Sequence, residues 1–155
     1  ITADWLQEIR NPIWHGTPVE KAVEAYKEER ARPSHERWGG LNGGEAGSDF
    51  VRRINDVCAH FLTENGYGKV SNGLPVWTHG KTLDKHIAFV AHAGTNSVVI
   101  CHLLGLEPTP WEWERFVLGH ASISEVEPLA LTDGVTFSLT RLSGVEHLPK
   151  SHRTV

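Results

Sequence analysis

The sequence predicts an α/β domain built on a mostly parallel sheet. Three observations support this: an unbroken apolar run, a helix with its apolar residues on one face, and a length that suits one core. The run is Ile87-Ala88-Phe89-Val90-Ala91, and its lack of alternation is the pattern of a strand covered on both faces in a parallel sheet. Phe50, Ile54, Val57, Phe61 and Leu62 recur at helical spacing, the mark of one buried helix face. At 155 residues the chain can bury roughly two-thirds of the surface it exposes unfolded, which suits a single domain over residues 1–155 better than two.

The elements follow in order. Thr17-Pro18-Val19-Glu20 reads as a capping box with proline at the first helical position. The helix it opens runs to about Arg30, before Pro33, with Val19, Ala22, Val23 and Tyr26 as its apolar stripe. Trp38-Gly39-Gly40-Leu41-Asn42-Gly43-Gly44-Glu45 sustains neither helix nor strand and is expected to be a loop of the kind that often lines sites. Ser48 or Asp49 caps the next helix, which ends near Gly66. Residues 66–85 read as irregular. After the apolar run comes His92, and Gly94, Thr95 and Asn96 lead into Val98, Val99, Ile100, Leu103 and Leu104, a buried helix stopped by Gly105 with Pro108 beyond. Thr109-Pro110-Trp111-Glu112 is a second capping box, opening a short helix whose Trp111 and Trp113 are assigned to the core rather than to a pocket wall. Ile123 to Val126 alternates, and beyond Thr132-Asp133-Gly134 so do Val135, Phe137 and Leu139, which predicts two paired strands.

Composition narrows the function classes. With 39% hydrophobic and 22% charged residues, this is a folding chain and not a disordered one. A net charge of −4 with scattered basic residues argues against nucleic-acid or anionic-membrane partners and leaves small anions open. Cys58 and Cys101 fall inside predicted helices without CxxC spacing, so both read as buried thiols in a reducing compartment. Neither a signal peptide nor a membrane-spanning apolar run appears, so a cytoplasmic location is expected. The sequence opens at Ile1 and contains no methionine, and an upstream segment is expected.

The chemistry centres on His92. A polar residue at the carboxyl end of a sheet strand stands where open α/β folds bind ligands, and the following helix aims its free N–H groups at the same spot. His92 is therefore a candidate catalytic residue, and Gly94 and Thr95 are candidate substrate-binding residues of an anion site. The competing reading is a histidine satisfied by a neighbouring carbonyl. Ten histidines also raise a metal site from His79, His86 and His92, but His86 and His92 bracket the strand and lie several residues' rise apart. HExxH and paired cysteines are absent, so no metal and no cofactor are expected. His102 reads as a core histidine, while His60, His147 and His152 read as structural or solvated. Gly39-Gly40 and Gly43-Gly44 lack the following lysine of a Walker phosphate loop.

His86-Ile87-Ala88-Phe89-Val90-Ala91-His92-Ala93-Gly94-Thr95, with an apolar helix ending in Leu103-Leu104-Gly105-Leu106, resembles the second-histidine motif of the histidine phosphatase superfamily. Gly43-Gly44-Glu45 with Asp49-Phe50-Val51-Arg52-Arg53-Ile54 is similar to that family's Gly-Gly-Glu loop and the helix after it. Leu6-Gln7-Glu8-Ile9 with Trp14-His15-Gly16 resembles the segment carrying its acidic proton donor. Ala121-Ser122-Ile123-Ser124 and Glu146-His147-Leu148 resemble its last strands. The resemblance implies a phosphoglycerate-mutase-like, three-layer α/β/α fold.

The family's attacking histidine belongs to an Arg-His-Gly motif on the first strand, and this sequence contains no such triplet. Ser34-His35-Glu36-Arg37 is the nearest wording, in the wrong context. The resemblance thus places the nucleophile, the phosphate-clamping arginines and the first strand upstream of Ile1. It gives His92 the role of the second histidine, which contacts the transferring phosphoryl group, and Glu8 that of the acid that protonates the leaving oxygen. His15 stands where the family commonly has a second acid, and Ala93 replaces a frequent glycine. The implied activity is phosphomonoester hydrolysis through a phosphohistidine, with a small phosphorylated substrate or phosphate as partner. A mutase using the same site is one alternative; a non-catalytic remnant that binds an anion or protein and a metal hydrolase are others. A homodimer or a complementing N-terminal segment is expected to fill the gap left by the first strand.

Overall fold

A computed structural model describes residues 2–70, 73–79 and 86–153. Two helices carry most of its core: α2 (Gly47–Glu64) and α3 (Ala93–Leu103). Phe50, Ile54, Cys58 and Leu62 of α2 are buried with Val98, Val99 and Leu103 of α3, and Trp77 and Val135 join the same cluster from the sheet. The spacing predicted for α2 is observed, although its N-cap is Ala46 and no side chain caps it, in place of the expected Ser48 or Asp49. Buried from Thr95 through Cys101 except for half-buried Asn96, α3 is apolar around most of its circumference because little of it meets water.

The end of α3 shows why Gly105 stands where it does. Gly105 has φ +67°, its N–H donates to the His102 carbonyl oxygen at 3.1 Å, and the Leu106 N–H donates to Cys101 O at 3.0 Å. This paired arrangement is a Schellman motif, which requires a left-handed residue after the helix. Only half of the expected Thr109–Glu112 box forms: Glu112 Oε2 accepts from the Thr109 N–H at 3.1 Å and from its hydroxyl at 3.2 Å, but the Glu112 N–H donates to Thr109 O and the N-cap is Trp111, with no side-chain cap bond. A short 3-10 helix, Glu112–Glu114, follows.

The sheet corrects the expectation of a mostly parallel one. Its four strands, β1 (Tyr67–Lys69), β2 (Trp77–His79), β3 (Ile123–Leu131) and β4 (Gly134–Gly144), run in the order β1-β2-β4-β3, and every pairing is antiparallel. The predicted hairpin is the β3–β4 pair, with Leu131 opposite Gly134 across the Thr132-Asp133 turn. The short strands β1 and β2 lie in a stretch expected to be irregular, because three residues are too few to show alternation. Residues 71–72 and 80–85 of that stretch lie outside the described residues.

The apolar run 87–91 is not a sheet strand among the described residues. Val90 is 91% and Ile87 47% exposed, whereas Phe89 is half-buried against Trp5 and Phe61, with ring centroids 5.6 and 5.2 Å away. No neighbouring strand takes up its main-chain groups among the described residues, and of the run Phe89 and Ala91 alone are half-buried.

Helix α1 (Val19–Ala31) also departs from its reading. Its N-cap is Pro18, with no side-chain cap bond from Thr17, and Val19 and Val23 of the expected apolar stripe are 69% and 62% exposed. What anchors the helix is polar: Glu29, buried, accepts from Arg37 Nε at 3.0 Å. Among the described residues no helix is long and apolar enough to cross a membrane.

Candidate active site

The segment before α1 begins with a 3-10 turn, Asp4–Leu6, and then extends. Glu8 lies in the extended part, and its half-buried carboxylate reaches across 86 positions of sequence to the start of α3. Oε2 accepts the N–H of Gly94 at 2.9 Å and that of Thr95 at 3.4 Å, and Oε1 accepts the N–H of Ile9 at 2.9 Å. The Thr95 hydroxyl, fully buried, donates to Gln7 O at 3.2 Å. These contacts cap α3 from outside its own sequence: Gly94 and Thr95 are its second and third residues, whose N–H groups have no partner inside the helix. A Cβ at Gly94 would lie 2.5 Å from Glu8 Oε1, so a larger residue there would displace the carboxylate from its seat.

His92 is the N-cap residue of α3, with φ −80° and ψ 163°. Its carbonyl accepts the Asn96 N–H at 2.9 Å, while the residue is exposed. The competing idea of an imidazole satisfied by a nearby carbonyl finds no such contact among the described residues. Three of the expected site residues, Glu8, Gly94 and Thr95, are therefore in direct contact, and His92 precedes them in the same turn. One expectation changes in content: the N–H groups of Gly94 and Thr95 are not free for a ligand in this structure, because a carboxylate already occupies the positive end of the helix.

Two further residues brace these contacts. Glu45, buried at the end of the Gly-rich loop, accepts from Arg53 Nε at 2.6 Å and Nη2 at 3.0 Å, and from the Arg10 N–H at 3.0 Å. Arg53 also donates to three carbonyl oxygens of the acid-bearing segment, those of Trp5, Gln7 and Glu8, at 3.0, 2.9 and 3.1 Å. Both residues lie within the family-like motifs, which assign neither a role from sequence alone. The available signal was their spacing: an acid just before a helix and an arginine eight positions on share one side of it.

Burial pushes the Glu45 carboxyl upward, but hydrogen bonds from Arg53 and the Arg10 N–H and the charges of both guanidinium groups together outweigh it, holding the group below its ordinary 4.5. A depressed folded-state value means that the unfolded chain takes up the proton more readily. The stabilisation is therefore fully present above about pH 4.5 and is lost as pH falls through the folded value. Thermal melts across this range are expected to show a steeper acid loss of Tm for the wild type than for Glu45→Gln. Parallel curves would remove Glu45 from the acid sensitivity.

The remaining candidates lie away from this site or in the core. His102 Nε2 is buried without a partner among the described residues, and burial, helped by Lys69, lowers its pKa; it is a core histidine. His60 faces Glu64 on the exposed side of α2, and His147 Nε2 lies 3.0 Å from Ala121 O. Burial pushes both cysteine thiols up to about 12, so neither is a nucleophile at neutral pH. Among the described residues no group of His, Cys, Asp and Glu could hold a metal; His86 is exposed, and the His79 side chain is outside the described set. Trp113 packs edge-on to Phe50 and also walls a cleft with Ile9, Arg10, Tyr26 and Leu41, whereas Trp111 is exposed.

The family model described as histidine phosphatase superfamily (branch 1) matches residues 1–134, a span that contains Glu8, Glu45, Arg53 and His92. No curated protein matches the chain.

Proposed function

The chain belongs to the histidine phosphatase superfamily, and on that premise we propose that it supplies the second histidine and the proton donor of a phosphomonoesterase that works through a phosphohistidine. The observation that carries this reading is the Glu8 carboxylate seated on the first turn of α3, directly after His92. Family membership supports phosphatase or mutase chemistry in general; the roles of His92 and Glu8 are this proposal's own.

In the proposed reaction a histidine of an Arg-His-Gly segment preceding Ile1 attacks phosphorus, and the bond from phosphorus to the ester oxygen breaks. Glu8 gives its proton to that oxygen as it leaves. Among the described residues Oε1 accepts the Ile9 N–H alone, which leaves it a lone pair on which to carry the proton. His92 faces the phosphoryl oxygens, where a fixed donor lowers the barrier by meeting the charge spread over them. Water then attacks the phosphohistidine, and the Glu8 carboxylate takes the proton released, regenerating the nucleophile and free phosphate. The added segment would lie along 87–90, where Ile87 and Val90 are exposed.

Turnover of an aryl phosphate by the protein that includes the residues before Ile1 is the direct test. The expected result is phosphate release with transient labelling of histidine; a well-folded protein of that length without turnover ends the proposal. A binding subunit without turnover is the second reading, favoured by Val90 being 91% exposed, and its signature is phosphate binding in that same inactive protein.

A further inference from the structure

Glu8 is gripped at both ends by different helices, its carboxylate by Gly94 of α3 and its carbonyl by Arg53 of α2. We infer that Arg53 is a positioning residue, which sets where the Glu8 carboxyl stands over the α3 N-terminus. The inference rests on the reading of Glu8 as the proton donor for its catalytic meaning, but its geometry stands apart from that reading.

The main chain from Trp5 to Glu8 pairs with no strand among the described residues, so its carbonyl oxygens need another donor. Arg53 provides one. Its Nη1 donates to Trp5 O, and its Nη2 lies within hydrogen-bond distance of Gln7 O, Glu8 O and Glu45 Oε2, while Nε donates to Glu45 Oε1. A guanidinium holds its N–H donors in a rigid plane, and here Nε and Nη1 each meet one acceptor while the two N–H groups of Nη2 are shared among three. Neutralising Glu45 would use only two of those contacts; the other three are spent on the backbone that carries the acid.

The plane is itself fixed. Its central carbon lies 4.9 Å from the centre of the Phe50 ring, and Phe50 is fully buried. Glu45, which braces the edge, is tied in turn to the Arg10 N–H, while its own N–H donates to Arg10 O at 2.7 Å. The loop, α2 and the acid segment are thereby locked in register, and Thr95 fastens the same segment to α3 through Gln7 O. Positional error matters for a proton donor, since a displacement of about 1 Å can cost on the order of a hundredfold in rate. Lysine keeps the charge but offers its donors from one nitrogen on a flexible stem, and it cannot meet the carbonyls and Glu45 together.

Amide hydrogen exchange, followed residue by residue in this chain, tests the inference without any turnover. The Gly94 N–H has no partner within its helix, so its protection reports the presence of the Glu8 carboxylate, and Glu8→Ala sets the floor. Arg53→Lys is expected to lower Gly94 protection by roughly tenfold or more toward that floor while Val99 and Ile100, deep in α3, keep theirs. Gly94 protection within about twofold of wild type would overturn the inference. Should Arg53→Lys not fold, Glu45→Gln is read the same way; collapse of Val99 and Ile100 together with Gly94 in both variants also overturns it, because Arg53 would then hold the fold rather than the acid. In the protein that turns over, Arg53→Lys is expected to lower kcat by about tenfold or more with KM nearly unchanged. Absence of turnover in the wild type counts against the phosphatase reading, and the exchange result still decides the role of Arg53.

Discussion

Glu8→Gln is expected to lower kcat for phosphomonoesters by about 10²- to 10⁴-fold with little change in KM, the loss shrinking as the leaving alcohol becomes more acidic. The substitution removes the proton, and with it the acceptor that Oε1 offers the Ile9 N–H. Glutamine has nearly the same shape, and its carbonyl oxygen can still accept the Gly94 N–H now donated to Oε2 at 2.9 Å, so the first turn of α3 stays capped. What disappears is the ability to protonate the departing oxygen. An alkyl phosphate, whose alkoxide leaves poorly without a proton, must therefore suffer more than a nitrophenyl phosphate, whose phenolate leaves unaided. An equal loss on both esters, measured under single-turnover conditions in the protein with its upstream residues, would remove Glu8 from the donor role even if the enzyme were active.

The parts of the fold that were legible are those governed by local pattern. The spacing of Phe50, Ile54 and Leu62 specified α2, Gly105 specified the end of α3, and the alternation around the Thr132-Asp133 turn specified the β3–β4 pair. Local pattern failed where the environment was not local. Ile87 to Ala91 has the composition of a strand buried on both faces, but Val90 is 91% exposed because burial depends on a neighbour and not on the run itself. The α1 stripe failed in part for the same reason: Tyr26 meets Trp14, but Val19 and Val23 are exposed, and the helix's buried contact is Glu29 with Arg37, an ion pair that a hydrophobicity pattern does not register.

The candidate site divides in a similar way. His92 was legible from its position between an apolar run and a helix. Glu8 entered only through resemblance, since nothing in the sequence brings it to a turn 86 positions away. The contact also changes the physics expected at the helix start: the positive end of α3 is matched by an internal carboxylate, so a phosphoryl group placed beside His92, as proposed, would meet donors that are already engaged. Any ligand there must therefore rely on groups other than the Gly94 and Thr95 N–H, or compete with Glu8 for them. Arg53 was hidden for a different reason, because an arginine on an amphipathic helix reads as solvated until its acceptors, here three main-chain carbonyls, are seen.

Phe50→Ala is expected to be the most destabilising single core change, costing about 3–5 kcal/mol. Phe50 has no exposed surface, belongs to the cluster joining α2, α3 and the sheet, and touches both the Trp113 ring and the Arg53 guanidinium, at 6.4 and 4.9 Å between centres. Its removal leaves a void bounded by two helices that are tied to each other through Glu8, so the walls cannot easily collapse into it. In a chain of this size each kcal/mol is worth roughly 2–4 °C, so Tm should fall by about 6–20 °C in calorimetry. Against a total stability of about 5–15 kcal/mol, such a loss leaves little reserve. Phe50→Leu, which keeps most of the volume, should lose well under half as much, and a drop in Tm below about 3 °C for the alanine variant would mean that the core is not organised around this ring. The same ring supports Arg53 from below, so exchange at Gly94 is expected to rise in Phe50→Leu before the interior of α3 loosens, linking the packing of the core to the placement of the acid.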